Sequence, residues 1–175
     1  MTIFDKLRNI KTFIFDIDGV FTNSELVVME NGDLLRKMNT RDGYAVRLAI
    51  DNGYNVVVIT GGNSQGVTRR LSRLGVVHIY SGIHDKPTTL RRHAEEYLVD
   101  LSEAVYMGDD IPDYEAMEVV GLKACPLDAA QEILEFSDFI STKKGGEGAV
   151  RELIEKVLKL NNDWPISAGT KIPSA

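Results

Sequence analysis

The chain has 175 residues, 43% of them hydrophobic, and a formal net charge of −6 at pH 7. One domain is expected at this length, and the composition excludes intrinsic disorder, a collagen-like repeat and a disulfide scaffold. Because the chain is acidic, lacks any stretch of about 18 apolar residues and has one cysteine, Cys125, we expect a cytoplasmic protein that binds neither nucleic acid nor membrane.

Short apolar runs alternate along the chain with longer amphipathic stretches. The predicted strands are Thr12–Phe15, Asn55–Ile59, His78–Tyr80, Ala104–Met107 and Leu122–Cys125. The predicted helices are 42–51, 65–74, 86–98, 113–120, 129–136 and 147–160. This alternation predicts an α/β fold of the doubly wound, Rossmann-like type, with a mainly parallel sheet covered on both faces.

One segment interrupts the alternation between the first strand and the first helix. Apolar runs on either side of Asn31-Gly32 predict a β-hairpin at 25–38 with a two-residue turn. The hairpin is predicted as an insertion into a single domain of residues 1–160, without a separate cap domain. Residues 161–175 lack periodicity and are predicted to form a C-terminal tail, in which Trp164 is either an anchor on a groove or a disordered aromatic residue.

Aspartates follow two of the predicted strands. Asp16 and Asp18 come directly after the first strand, and Asp109, Asp110 and Asp113 come after the fourth. Ligands bind at the carboxyl ends of strands in open parallel sheets, so we expect the two groups to converge. Carboxylates about 5 Å apart repel each other by about 3 kcal/mol at an effective dielectric near 20. The cluster therefore predicts a cation, and an all-oxygen ligand set favours Mg²⁺.

Complementary groups follow two other strands. Thr60 and Gly61 precede a helix and offer a hydroxyl and backbone amides to an anion, and Lys86 begins the next helix. Singly, each feature has a simpler explanation: a tight turn, an exposed lysine, or a helix cap in the case of Asp113. Their joint occurrence at successive strand ends favours a phosphoryl site in which a carboxylate attacks phosphorus.

Four segments carry a resemblance to a known family. They are Phe15-Asp16-Ile17-Asp18-Gly19-Val20, Thr60, Lys86 and Gly108-Asp109-Asp110-Ile111-Pro112-Asp113, which look like the four motifs of the haloacid dehalogenase superfamily of phosphatases. Segments 18–22, 39–44 and 145–152 are similar to its capless branch, which includes 3-deoxy-D-manno-octulosonate 8-phosphate phosphatases and related nonulosonate 9-phosphate phosphatases. The resemblance covers most of residues 10–160.

The resemblance implies an aspartyl-phosphate mechanism. Asp16 would be the nucleophile, and Asp18 would be the general acid and then the general base. Mg²⁺ would be bound by Asp16, by the backbone carbonyl of Asp18 and by Asp109, with Asp110 and Asp113 supporting these ligands. The residues that would bind the phosphate are Thr60, Gly61 and Lys86.

The implied activity is the hydrolysis of 3-deoxy-D-manno-octulosonate 8-phosphate in lipopolysaccharide biosynthesis. One departure leaves the substrate open: the octulosonate enzymes usually have arginine directly after Thr-Gly, and this chain has Gly62. Either another cation substitutes, or the substrate is a nine-carbon, sialic-acid-like keto-acid 9-phosphate. The candidate cations are Arg41, Arg69 and Arg70.

Two further alternatives remain at the level of the sequence. Receiver domains also combine acidic residues, threonine and lysine, but Asp18 has no role in a non-enzymatic phospho-aspartate switch.

The resemblance also implies a homotetramer assembled through the hairpin at 25–38, with a neighbouring subunit closing the site. Apolar hairpin residues Val27, Val28 and Leu34 agree with assembly, and the alternative is a hairpin packed on its own domain.

Overall fold

The computed structural model describes residues 2–165 as a six-stranded sheet with flanking helices and a separate hairpin. The strands are β1 Thr12–Phe15, β2 Val27–Val28, β3 Leu34–Leu35, β4 Asn55–Ile59, β5 His78–Tyr80, β6 Ala104–Met107, β7 Leu122–Cys125 and β8 Phe139–Ile140. The α-helices are α1 Ile3–Asn9, α2 Thr40–Asp51, α3 Gln65–Arg73, α4 Lys86–Tyr97, α5 Tyr114–Glu118, α6 Gln131–Phe136 and α7 Ala149–Leu160.

The strand order is β5-β4-β1-β6-β7-β8, and every neighbouring pair is parallel. From β1 the chain continues to β4 and β5 on one side and then crosses to β6 on the other side. The order of strands therefore reverses between β1 and β6, and in doubly wound proteins ligands bind at such a switch point. The predicted fold class is confirmed.

The sheet is covered on both faces because successive side chains of a strand point in opposite directions. Phe13 and Phe15 of β1 are fully buried in a core with α1, α2, α3 and α7. Ile14 is equally buried in a second core with α4, α5 and α6. Burial of each such side chain stabilises the fold by about 1.5–3 kcal/mol, which keeps the central strands and their carboxyl ends in place.

All five predicted strands are found at their predicted bounds, whereas two short elements were not predicted. Helix α1 has seven residues and strand β8 has two, so neither is long enough to show a clear period. The helix predicted at 113–120 is present but shorter, as the five-residue α5 Tyr114–Glu118. A 3₁₀ turn at Ile111–Asp113, with Pro112 in its first turn, precedes it.

The hairpin is present, but its predicted two-residue turn is wrong. Met29 N donates to Asp33 O over 2.9 Å, and Gly32 N donates to Met29 O over 2.8 Å, so three residues form the loop. The extra residue is accommodated because Gly32 has a φ of +87°, a left-handed conformation that closes three-residue loops. The apolar side chains of β2 and β3 remain exposed, with Val28 at 71%.

Near the end of the described residues, Trp164 packs against helices α2 and α7. Trp164 packs edge-on against Tyr44, with ring centroids 6.3 Å apart, and lies over the guanidinium of Arg151. The remainder of the predicted tail, 166–175, lies outside the described residues. Within residues 2–165, no helix has both the length and the apolar character needed to cross a membrane.

Candidate active site

Three carboxylates meet at the switch point between β1 and β6. Oxygen atoms of Asp16, Asp109 and Asp113 all lie within 4.8 Å of one another. The two groups converge because β1 and β6 are hydrogen-bonded neighbours, and Asp16 N continues the ladder by donating to Met107 O over 3.1 Å. Gly19 has a φ of +84°, and a Cβ there would overlap the Asp109 carboxylate, so the close approach requires glycine.

Lys86 lies between two of these carboxylates. Its Nζ is 2.9 Å from Asp16 Oδ2 and 2.7 Å from Asp113 Oδ1, and its side chain is buried. Asp113 also accepts hydrogen bonds from Tyr106 OH at 2.7 Å and from Asp109 N at 3.1 Å. Because both oxygens of Asp113 already have partners, this residue orients Lys86 and the Asp109 loop.

The charges of the cluster are not balanced by Lys86 alone. Burial, followed by repulsion from Asp113, raises the pKa of Asp16 to about 6, although Lys86 opposes the shift. Burial, followed by repulsion from Asp113 and Asp16, raises the pKa of Asp109 to about 7. Excess negative charge on an all-oxygen donor set is what a divalent cation such as Mg²⁺ neutralises, so Asp16 and Asp109 fit a metal site.

Asp18 faces a different partner. Its carboxylate is held by Arg36, with Nε 2.7 Å from Oδ1 and Nη2 3.0 Å from Oδ2. Arg36 directly follows β3, and its side chain is only 7% exposed. The sequence analysis missed this residue, since nothing in the local pattern shows that a cation directly after the second hairpin strand reaches the end of β1.

Arg36 also occupies the space beside Gly62. A Cβ at Gly62 would lie 3.2 Å from both Arg36 Nη2 and Asp18 Oδ2. Of the three predicted substitute cations, Arg70 lines the same groove as Gly62 and Arg36, between the hairpin and α3, and Arg41 lines a separate groove beside α7. Among residues 2–165 no contact places Arg69 at this site, and Arg36, which was not among the predicted candidates, directly adjoins Gly62.

The end of β4 supplies the polar groups expected there. Thr60 is buried, its N donates to Tyr80 O over 2.9 Å, and its Oγ1 accepts a bond from Gly62 N at 3.2 Å. Gly61 is exposed next to it. Asp110, by contrast, is outside the cluster and exposed, where its Oδ1 accepts a bond from Ile111 N and caps the 3₁₀ turn.

Together these groups can carry out nucleophilic displacement at a phosphorus atom. The carboxylates of Asp16, Asp109 and Asp113 lie together with the ammonium of Lys86 at the carboxyl ends of β1 and β6. Thr60 and the amides of the following loop provide hydrogen-bond donors for an anion. Asp18 provides a second carboxyl group for proton transfer.

Comparisons with known proteins identify relatives of this chain. The profile of the haloacid dehalogenase-like hydrolases matches residues 67–154. A 3-deoxy-D-manno-octulosonate 8-phosphate phosphatase of Salmonella typhi is 34% identical over 156 residues, which cover 89% of this chain and 83% of that protein.

Two solved structures are similar over nearly the whole fold. The phosphatase of the same name from Moraxella catarrhalis, in complex with a magnesium ion, a phosphate ion and a KDO molecule, is 34% identical with a TM-score of 0.89, covering 92% of each chain. A cobalt-bound deoxy-D-mannose-octulosonate 8-phosphate phosphatase from Haemophilus influenzae is 30% identical with a TM-score of 0.86, covering 90% of this chain and 92% of that chain.

Proposed function

Because this chain belongs to the haloacid dehalogenase superfamily, in the branch of the 3-deoxy-D-manno-octulosonate 8-phosphate phosphatases, and is a phosphoric monoester hydrolase, we propose that it hydrolyses 3-deoxy-D-manno-octulosonate 8-phosphate. The products are the free sugar acid and phosphate. The observation that carries the proposal is the similarity, over 92% of both chains, to a phosphatase solved with KDO and phosphate. The reaction would serve lipopolysaccharide biosynthesis in the cytoplasm, a reducing compartment that suits the free Cys125.

In the proposed mechanism Asp16 is the nucleophile. One of its oxygens forms a bond to phosphorus while the bond from phosphorus to the sugar oxygen breaks, and Asp18 gives its proton to that oxygen. Water then attacks phosphorus, Asp18 takes a proton from the water, and the Asp16 carboxylate is released together with phosphate. Lys86 supports the role of Asp16, because its ammonium at 2.9 Å stabilises the charged carboxylate and the incoming phosphate.

The proposed cofactor is Mg²⁺. Asp16, Asp109 and the backbone carbonyl of Asp18 would hold it, with Asp113 as support. When bound, it supplies positive charge that offsets the repulsion between the substrate phosphate and the carboxylates. Thr60, Gly61 and Lys86 are the proposed phosphate-binding residues.

Two alternatives from the sequence differ in their present support. Membership of a hydrolase family argues against a non-enzymatic receiver switch. A nine-carbon keto-acid 9-phosphate remains the second candidate substrate, because Gly62 lacks the guanidinium usual after Thr-Gly.

The two substrates are distinguished by steady-state phosphate release with Mg²⁺ on a panel of sugar phosphates. The panel contains the eight-carbon and nine-carbon keto-acid phosphates, a hexose phosphate and a nucleotide, with Asp16→Asn as the inactive control. We expect kcat/KM for the eight-carbon acid to exceed the others by about 100-fold, which corresponds to about 2.7 kcal/mol. Preference for the nine-carbon acid contradicts the proposed substrate and favours the second candidate.

We further propose that residues 1–160 form one phosphatase domain that assembles as a homotetramer through the hairpin at 25–38. The exposed apolar side chains of β2 and β3 support this, since two strands of such composition are unfavourable in water when they stand alone. Leu35 is 51% exposed and Val27 is 59% exposed. A second copy of the hairpin would cover them.

A further inference from the structure

We propose that Arg36 is a positioning residue that fixes the carboxyl group of Asp18 for proton transfer. The inference rests on the proposed function, because it takes Asp18 as the acid and base of the reaction. It adds a residue outside the four motifs, reached only through the fold of the hairpin.

The first support is the geometry of the contact. Two N–H groups of one guanidinium meet the two oxygens of one carboxylate, at 2.7 Å and 3.0 Å. Paired bonds of this kind fix the plane of the carboxylate as well as its distance, which a single bond from lysine does not. Within residues 2–165, Arg36 supplies both of the side-chain hydrogen bonds recorded for the Asp18 carboxyl group.

The second support is the difference in burial between the partners. The side chain of Arg36 is 7% exposed, whereas that of Asp18 is 35% exposed. The arginine is therefore the more enclosed partner, and both side chains line the pocket beside Thr60 and Gly62. A partly exposed carboxyl without such a partner would sample several rotamers, and only a fraction of them would face the reacting oxygen.

The third support is the space at Gly62. A Cβ there would approach both Arg36 Nη2 and Asp18 Oδ2 to 3.2 Å, closer than most real contacts of a methyl group. The absence of a side chain at this position leaves room for the guanidinium. The absence of a side chain at Gly62 therefore allows Arg36 to reach Asp18.

The contact is compatible with both half-reactions. When Asp18 acts as an acid, one oxygen carries the proton and gives up its bond from Arg36, while the other oxygen still accepts one. The proton then passes to the sugar oxygen as its bond to phosphorus breaks. In the second half-reaction the ionised carboxylate accepts the proton of the attacking water, and Arg36 holds it in the same place.

The test compares two substrates that differ in their need for an acid. The sugar phosphate has a poor leaving group that must be protonated, whereas p-nitrophenyl phosphate has a leaving group that departs without a proton. Because kcat/KM covers binding and the steps up to departure of the first product, it includes the acid step and leaves out the later base step. We expect Arg36→Ala to lower kcat/KM about 100-fold on the sugar phosphate and less than about 3-fold on the aryl phosphate.

The control is Lys11→Ala, which removes an exposed cation outside the hairpin and the site and should leave both values unchanged. Added guanidinium ion should restore part of the activity of Arg36→Ala on the sugar phosphate. Gly62→Ala, which keeps Arg36 but crowds the pair, should lower the same ratio of the two substrates. Thermal unfolding of each variant shows whether it is folded.

Each outcome decides the inference separately from the proposed function. An equal loss on both substrates, or no loss on either, overturns the role of Arg36. The wild-type panel decides the substrate first. If another alkyl phosphate is preferred, the proposed function fails and the same comparison with that substrate still tests Arg36.

Discussion

Lys86 and Asp113 form a buried ion pair in which Nζ lies 2.7 Å from Oδ1. The two side chains are 4% and 1% exposed, and the same ammonium reaches Asp16 at 2.9 Å. Burial alone would lower the pKa of Lys86, but the charges of Asp113 and Asp16 outweigh it and raise the pKa. The same cation therefore opposes the rise in the pKa of Asp16 that burial and Asp113 cause.

Removal of this ammonium should destabilise the fold. Lys86→Met leaves two carboxylates buried without a cation, and we expect the free energy of unfolding to fall by about 3–5 kcal/mol. The control is Lys6→Met, which breaks a partly exposed pair with Asp138 at 3.0 Å and should cost less than about 1 kcal/mol. Urea unfolding measures both, and equal stability of the two variants would contradict the role of Lys86.

Binding of Mg²⁺ should be visible without any substrate. The metal should raise the melting temperature of the wild type. The rise should be smaller at about pH 5.5 than at about pH 8, because at the lower pH protons compete with the metal for Asp16 and Asp109. Their pKa values, raised to about 6 and about 7, define this window. Asp109→Asn should lose the shift, and a shift as large as that of the wild type would remove Asp109 from the proposed ligands.

Asp42 gives a pH dependence of stability outside the site. It is fully buried on α2, its Oδ1 accepts a bond from Arg151 N at 2.8 Å at the start of α7, and burial raises its pKa to about 6. The folded state therefore binds a proton at Asp42 more tightly than the unfolded state does. The stability that this protonation contributes is lost as pH rises from about 4 to about 6. A pKa higher by about two units corresponds to about 3 kcal/mol.

The variant Asp42→Asn separates this effect from the other carboxylates. Since asparagine does not titrate, the stability of the variant relative to the wild type should increase by up to about 3 kcal/mol between pH 4 and pH 7. Chemical unfolding across that range provides the measurement. A difference in stability that stays constant with pH would show that folding does not raise the pKa of Asp42.

The hairpin should control assembly. Val28→Asp introduces a charge into the exposed face of β2 and should convert the proposed tetramer into smaller species, measured by light scattering at micromolar concentration. The control is Val77→Asp, because Val77 is 80% exposed and lies away from the hairpin in the chain. A wild-type monomer, or a tetramer that survives Val28→Asp, contradicts the proposed interface.

The sequence allowed the sheet and the carboxylate cluster to be predicted because both follow from local rules. The apolar run before Asp16 and the one before Asp109 mark neighbouring parallel strands, and such strands end at one edge. The Arg36–Asp18 contact could not be predicted, since it depends on the direction in which the hairpin leaves the sheet. Asp110 was expected to support the metal, but its backbone turn directs the side chain outward as a cap.

The most direct test of the mechanism is acid quenching of the enzyme during turnover of the sugar phosphate, followed by mass spectrometry of its peptides. The account predicts that the peptide containing Asp16 carries the mass of one phosphoryl group, while many phosphate ions are released per chain. Asp16→Asn should be folded, carry no such group and lose activity by at least about 1,000-fold. Rapid turnover with the phosphoryl group on another residue, or substantial turnover by the folded Asp16→Asn variant, would contradict Asp16 as the nucleophile.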